Sequence, residues 1–269
     1  MRQYYPQRIV CLTEEPTEML YLLGEQDRIV GISGFTVRPP SARKEKPIVS
    51  TFLDAKIDEI VALQPDLVIG FSDLQAEIAK QLIEAGITVW INNHRSIVEI
   101  MSMMVQLGAL VGKGGQAESL VVEIQQTIQD IELVTRTWPQ KPTVYFEEWY
   151  DPLISGIQWV SEIIALAGGI DIFPELGKES LAKNRIIADP QRVVERNPDI
   201  IMASWCGKMF KKPRMVNRPN WDQIAAIRSD AVYEIPSEII LQPGPACLME
   251  GLPMLHDIFQ RWASHKFHT

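Results

Sequence analysis

The chain has 269 residues, 46% of them hydrophobic and 22% charged, which is the composition of an ordinary globular protein with a real apolar core. Its formal net charge is −8, from 26 basic and 34 acidic residues. That balance excludes a surface built for nucleic acid or anionic membrane, each of which needs a basic face. No stretch reaches the about 18 consecutive apolar residues of a membrane span. The three cysteines, Cys11, Cys206 and Cys247, have no CxxC or other metal spacing and an odd count, so they read as structural thiols.

Strand and helix signals alternate from the start. The N-terminal Met1-Arg2-Gln3-Tyr4-Tyr5-Pro6 leads straight into the strand-like Ile9 to Thr13. A secretory signal would show a basic start, roughly 7–15 apolar residues and a cleavage site, and this segment has none of them. As given, the sequence reads as cytoplasmic, or as periplasmic if a signal was removed. Glu15-Pro16-Thr17-Glu18 opens a helix that Gly24 closes: proline and acids suit the first turn, glycine the C-terminal cap. Ile29 to Ile32 is a strand, and the proline-rich stretch Ser33 to Ala55 reads as an irregular, long connection of the kind that often carries function. Ile57 to Leu63 is a helix, Leu67 to Phe71 a strand, Asp73 to Ala85 a helix, Thr88 to Asn92 a strand and Ser96 to Leu110 a helix. Such alternation predicts a mainly parallel sheet with helices packed on it.

Gly115 to Thr137 carries Leu120, Ile124, Ile128, Ile131 and Val134 at three- and four-residue spacing, which predicts one long amphipathic helix. Pro139 and Pro142 end it. A second alternating half follows: strands at Thr143 to Trp149, Ile200 to Ser204 and Val232 to Ile235, helices at Trp159 to Ala167, Pro190 to Arg196 and Cys247 to Trp262. The halves resemble each other. Ile60 to Ile69 matches Val193 to Met202, each a helix end, an x-Pro-Asp turn and a buried strand; the shift from 60 to 193 is an offset of 133. The same offset carries Glu14-Glu15 onto Glu147-Glu148. The expected fold is therefore α/β: two Rossmann-like lobes with mainly parallel sheets, residues 1–112 and 139–269, joined by one long α-helix over residues 113–138, with a ligand cleft between the lobes.

In open α/β sheets, ligands bind beyond the carboxyl ends of the strands. Those ends and the loops beside them offer Glu14, Glu15, Phe35, Arg38, Phe52 and Phe71 in the first lobe, and Glu147, Glu148, Trp149, Trp205 and Gln242 in the second. Aromatic planes with a few fixed polar groups suit a sizeable flat ligand. The four glutamates would make the site acidic and favour a neutral or cationic ligand. Each has a plainer reading too: Glu14 and Glu15 as complements to a helix dipole, the tryptophans as core, and Met101, Met103 and Met104 as helix core. A catalytic or metal site is hard to assemble. His94, His256, His265 and His268 have no HxxxH spacing, and no GxSxG, GxGxxG or Walker-type loop occurs. The expectation is no enzyme, no metal and no intrinsic cofactor; an enzyme or sensor using the paired glutamates is the alternative from another class.

A further set of segments carries a family resemblance: Arg8-Ile9-Val10-Cys11-Leu12, Val30-Gly31-Ile32-Ser33 with Pro39-Pro40, Ile57 through Phe71, Ser161-Glu162-Ile163-Ile164 with Gly168-Gly169, Asn197-Pro198-Asp199, and Pro219-Asn220-Trp221 with Val232-Tyr233. With the order lobe, long helix, lobe, the chain resembles the class III periplasmic solute-binding proteins, which serve ABC importers of cobalamin, siderophores and haem; within them the likeness is closest to the cobalamin-binding proteins. The resemblance implies reversible binding of cobalamin or a related corrinoid, with aromatics of both lobes on the corrin ring: Phe35, Phe52 and Phe71 from one, Trp149 and Trp205 from the other. Another metal chelate or a small cationic solute is the alternative ligand. It also implies a permease as partner, met through one acidic residue per lobe. Asp58 fits the first position, while the second falls near the uncharged Gln191.

Overall fold

A computed structural model describes residues 4–267; Met1 to Gln3 and His268, on which parts of the sequence reading fall, lie outside the described residues. In chain order the elements are β1 (Ile9–Cys11), α1 (Glu14–Leu22), β2 (Ile29–Ser33), α2 (Ala42–Glu45), β3 (Ile48–Ser50), α3 (Ile57–Ala62), β4 (Leu67–Phe71), α4 (Ala76–Glu84), β5 (Val89–Asn92), α5 (Ile97–Leu110) and α6 (Gly114–Thr135). They continue with β6 (Thr143–Tyr150), β7 (Leu153–Ser155), α7 (Gln158–Leu166), β8 (Ile170–Asp171), α8 (Pro174–Gly177), α9 (Gln191–Arg196), β9 (Ile200–Ala203), α10 (Lys212–Val216), α11 (Ala225–Arg228), β10 (Val232–Glu234), α12 (Ser237–Ile240) and α13 (Leu252–Phe267). A π-helical turn, Cys247–Gly251, leads into α13.

The chain divides into two compact units. Unit 1 comprises Met1–His94 and Val98–Glu123 and takes in Pro243–Pro245; unit 2 comprises Arg95–Ile97, Ile124–Gln242 and Ala246–Thr269. The long helix expected from the heptad-like spacing is α6, and the boundary between units falls inside it.

The first sheet has the order β3-β2-β1-β4-β5, all parallel. Its central strands β1 and β4 are buried along their whole length, as parallel strands covered on both faces by helices must be. Val10, Leu12, Val49 and Val68 pack with Ile60 of α3 and with Ile78 and Leu82 of α4 to form one core. The strand β3 lies within the stretch expected to be irregular. It has only three residues and follows Pro47, so neither its length nor its flanks signal a strand; its pairing with β2 makes it one.

The second sheet runs β10-β9-β6-β7, with β8 also paired to β6. Here the first strand of the lobe again sits beside the strand that follows the x-Pro-Asp turn. β7 is antiparallel to β6, a hairpin that the sequence reading did not contain. Val144, Tyr145, Phe146, Ile163, Ile164, Ile200 and Ile201 form the buried centre of this lobe.

The x-Pro-Asp turns explain why the motif recurs. Asp66 accepts hydrogen bonds from the backbone N–H of Gln7 (2.6 Å) and Arg8 (2.9 Å), while its own N–H donates to the Arg8 carbonyl. Asp199 accepts from the N–H of Thr143 (3.0 Å) and donates to the Thr143 carbonyl. Each aspartate thereby pins the start of its lobe's first strand to the start of the neighbouring one. The register is shifted, however. Ile9 pairs with Leu67, whereas Ile200, the counterpart of Leu67 at the offset of 133, pairs with Val144. From Ile9 to Val144 the offset is 135. The turns repeat at one spacing and the first strands at another, so Glu147-Glu148 stand where Leu12-Thr13 stand in the first lobe. Their match with Glu14-Glu15 is a coincidence of sequence.

Candidate functional site

In unit 1 the chain leaves β1, passes through the extended Thr13 and enters α1 at Glu14. Both acids stand in the first turn of α1. Both are buried, and Glu15 accepts a hydrogen bond from Thr13 Oγ1 at 2.7 Å. Burial pushes the Glu14 carboxyl up to about 7 and that of Glu15 to about 8, against an ordinary value near 4.5. Around neutral pH, Glu15 is therefore largely uncharged. The Pro243–Pro245 segment lies directly on it: a Cβ at Gly244 would meet Glu15 Cβ at 2.6 Å, so only glycine fits there. The carbonyl of Pro243 lies 2.8 Å from Nε2 of the buried His94.

His94 leads to the first-lobe aromatics. Its ring centroid is 4.9 Å from that of Phe71, which is 6.3 Å from that of Phe52. Gln75 holds the two phenylalanines together. Its Oε1 accepts from the Phe71 N–H (2.9 Å) and its Nε2 donates to the Phe52 carbonyl (3.0 Å). Phe35 lies 49% exposed in the turn after β2. Arg38 is tied back to α1, with Nε donating to Glu18 Oε1 at 2.9 Å. Asp58 is exposed in the first turn of α3, and Gln191 is exposed at the start of α9.

In unit 2 the dipeptide Glu147-Glu148 lies inside β6, where successive side chains point to opposite faces. The two are not a pair. Glu147 is completely buried and receives both guanidinium nitrogens of Arg218, at 2.5 and 2.9 Å, together with Trp205 Nε1 (3.0 Å) and Tyr145 Oη (3.0 Å). Glu148 is clasped by both terminal nitrogens of Arg185, at 2.6 and 2.9 Å, and Arg185 is itself only 2% exposed and also donates to the Ser155 carbonyl. Bidentate guanidinium–carboxylate pairs of this kind cancel the charge locally. In unit 2 each glutamate is thus paired with an arginine, whereas in unit 1 burial raises both carboxyls toward the neutral acid.

The second lobe holds an aromatic cluster at this end of its sheet, with Trp149 and Tyr150 half-buried and Trp205 only 4% exposed. Trp149 stacks on Tyr150 (5.0 Å between centroids, 24° between planes), and Tyr150 lies 4.5 Å from Trp205. Trp205 meets Phe210 edge-on at 5.0 Å, and the Arg214 guanidinium sits 3.9 Å from the centre of the Tyr150 ring. Trp149 Nε1 donates to the Asp151 carbonyl at 3.0 Å. The two tryptophans singled out from the sequence thus belong to one cluster, joined by Tyr150 at the same strand end. Gln242 is half-buried just beyond α12. Arg185 and Arg218 carry no signal in the sequence, lying 37 and 71 positions from their glutamates.

Among the described residues, no group of three or more His, Cys, Asp or Glu side chains is placed to hold a metal ion, and no helix is long and apolar enough to cross a membrane.

Comparison with known proteins adds three findings. Residues 9–239 match the family model described as "Periplasmic binding protein". An uncharacterized ABC transporter substrate-binding lipoprotein, YvrC of Bacillus subtilis, is 25% identical over 93% of this chain and 79% of its own length; a vitamin B12-binding protein of Vibrio campbellii is 25% identical over 88% and 84%. The fold is that of the periplasmic heme-binding protein RhuT of Roseiflexus, with a TM-score of 0.81 at 22% identity, covering 96% of this chain and 99% of that one.

Proposed function

The chain belongs to the periplasmic binding protein family, and from that membership we propose that it binds and releases a planar metal chelate, cobalamin or a related corrinoid, on behalf of an ABC importer. The observation that carries this reading is the aromatic cluster of Trp149 and Tyr150, at the carboxyl end of β6, with Trp205 and Phe210, beyond that of β9. Linked ring faces with few fixed polar groups bind a flat, mostly apolar ring system and little else. The Vibrio relative, named for vitamin B12, supports the corrinoid over other flat ligands. In unit 1, Phe35, Phe52 and Phe71 are proposed as ligand contacts as well, with Gln75 bonded to the backbone of the latter two. No catalytic step enters: the glutamates that could have done acid–base work are engaged by arginines in one lobe and buried against the chain in the other. A permease is the partner in this reading, with Asp58 as a docking residue. Another planar chelate, such as haem, is the second reading, favoured by the basic Arg214 over the Tyr150 ring.

The test is titration of the purified protein with cyanocobalamin and with hemin, followed by tryptophan fluorescence. Saturable quenching by one of them is expected, and Trp149→Ala or Trp205→Ala should each weaken it roughly tenfold, the equivalent of about 1.4 kcal/mol. Absence of quenching by both ligands at high micromolar concentration would sink the reading.

A further inference from the structure

Charge is unevenly distributed along this acidic chain. Residues 200–221 contain Lys208, Lys211, Lys212, Arg214 and Arg218 and not one acid. Two of these cations are spent within the fold: Arg218 on Glu147 and Lys212 on Asp230, at 2.6 Å. Lys208, Lys211 and Arg214 are exposed and, among the described residues, have no carboxylate within ion-pair distance. They stand in the segment that joins β9 to α10 and in α10 itself, the same segment that supplies Phe210 to the aromatic cluster. Arg214 is the best placed of the three. Stacking on Tyr150 holds its guanidinium against the ring surface, so its planar donor edge is oriented before any ligand arrives.

We propose that this segment is an anion subsite, in which Arg214, aided by Lys208 and Lys211, receives a phosphate or carboxylate substituent of the planar ligand. The inference rests on the planar-chelate reading above and narrows it to ligands that carry a negative group at the ring edge. A guanidinium fork matches either oxyanion with two parallel hydrogen bonds. The local charges agree with this assignment, because the two glutamates of β6, Glu147 and Glu148, are each paired with an arginine within the fold.

Two pairs of probes separate the anion from the ring. Cyanocobalamin carries a phosphodiester that dicyanocobinamide lacks, and hemin carries two carboxylates that its dimethyl ester masks. For whichever pair binds, the anionic member should bind roughly tenfold more tightly, by about the worth of one charge-assisted hydrogen bond. That preference should shrink as salt is raised. Arg214→Gln, an exposed substitution that the fold tolerates, should abolish most of it. Equal affinity within a pair, or a preference that survives Arg214→Gln, overturns the subsite while leaving the planar-ligand reading intact. Binding of neither pair overturns both.

Discussion

Glu14-Glu15 and Glu147-Glu148 are the same dipeptide in two environments. The first opens a helix, buried beside Gly244, and burial shifts its carboxyls toward the neutral form. The second lies within a strand, which sends its members to opposite faces and to separate arginines. Both solutions avoid an uncompensated buried charge, one by protonation and the other by pairing. The lesson is that formal charge in a sequence is not charge at a site.

The contrast can be broken most severely at Arg218. Arg218→Ala would leave Glu147 buried without its counter-ion, bonded only to Trp205 and Tyr145, and should cost roughly 3–5 kcal/mol in denaturant unfolding. A loss below about 1 kcal/mol would show that Glu147 is held by its tyrosine and tryptophan alone. Arg185→Ala should cost less, about 2–3 kcal/mol, because Glu148 is 18% exposed and water can take over part of the guanidinium's role.

In the first lobe the sign is reversed. The folded-state value of Glu15, about 8, lies above the ordinary value of 4.5 that holds in the unfolded chain. The unfolded chain therefore gives up its proton first as pH rises. Stability is fully present below pH 4.5, falls through the interval and levels off above 8. Glu15→Gln should remove part of that decline and leave the variant more stable than the parent at pH 8, by roughly 2 kcal/mol. Melting temperatures of the two proteins across this pH range would show it, and parallel profiles would contradict it. The smallest effect is at the two turn aspartates. Asp66→Asn and Asp199→Asn should each cost about 1 kcal/mol, as equivalent clamps on equivalent strands. A severalfold difference between them in unfolding free energy would weaken the kinship of the two lobes.

The local features were legible. The x-Pro-Asp turns, the strand Leu67–Phe71 and the long helix Gly114–Thr135 are set by short-range periodicity and turn chemistry, and they stand within two residues of where the pattern puts them. Strand β3 was not legible, because three residues after a proline carry no period. The Leu153–Ser155 hairpin strand is equally short and follows Asp151-Pro152. The candidate site residues were legible only in part: Trp149, Tyr150, Trp205 and Phe71 fall at or just beyond strand ends and Phe52 in a long connection, whereas Phe210, Gln75 and the two arginines owe their place to contacts made far along the chain. The offset of 133 misled at the glutamates because the two lobes differ in strand register by two residues.

The central claim is that the linked ring surface of Trp149, Tyr150 and Trp205 holds a planar chelate. Calorimetric titration of cyanocobalamin and hemin into the wild type and Trp205→Ala, side by side, tests it most directly. The account predicts a saturable one-to-one isotherm with at least one of the two ligands, weakened roughly tenfold in the variant. Identical isotherms for the two proteins, or no heat of binding from either ligand, would contradict it.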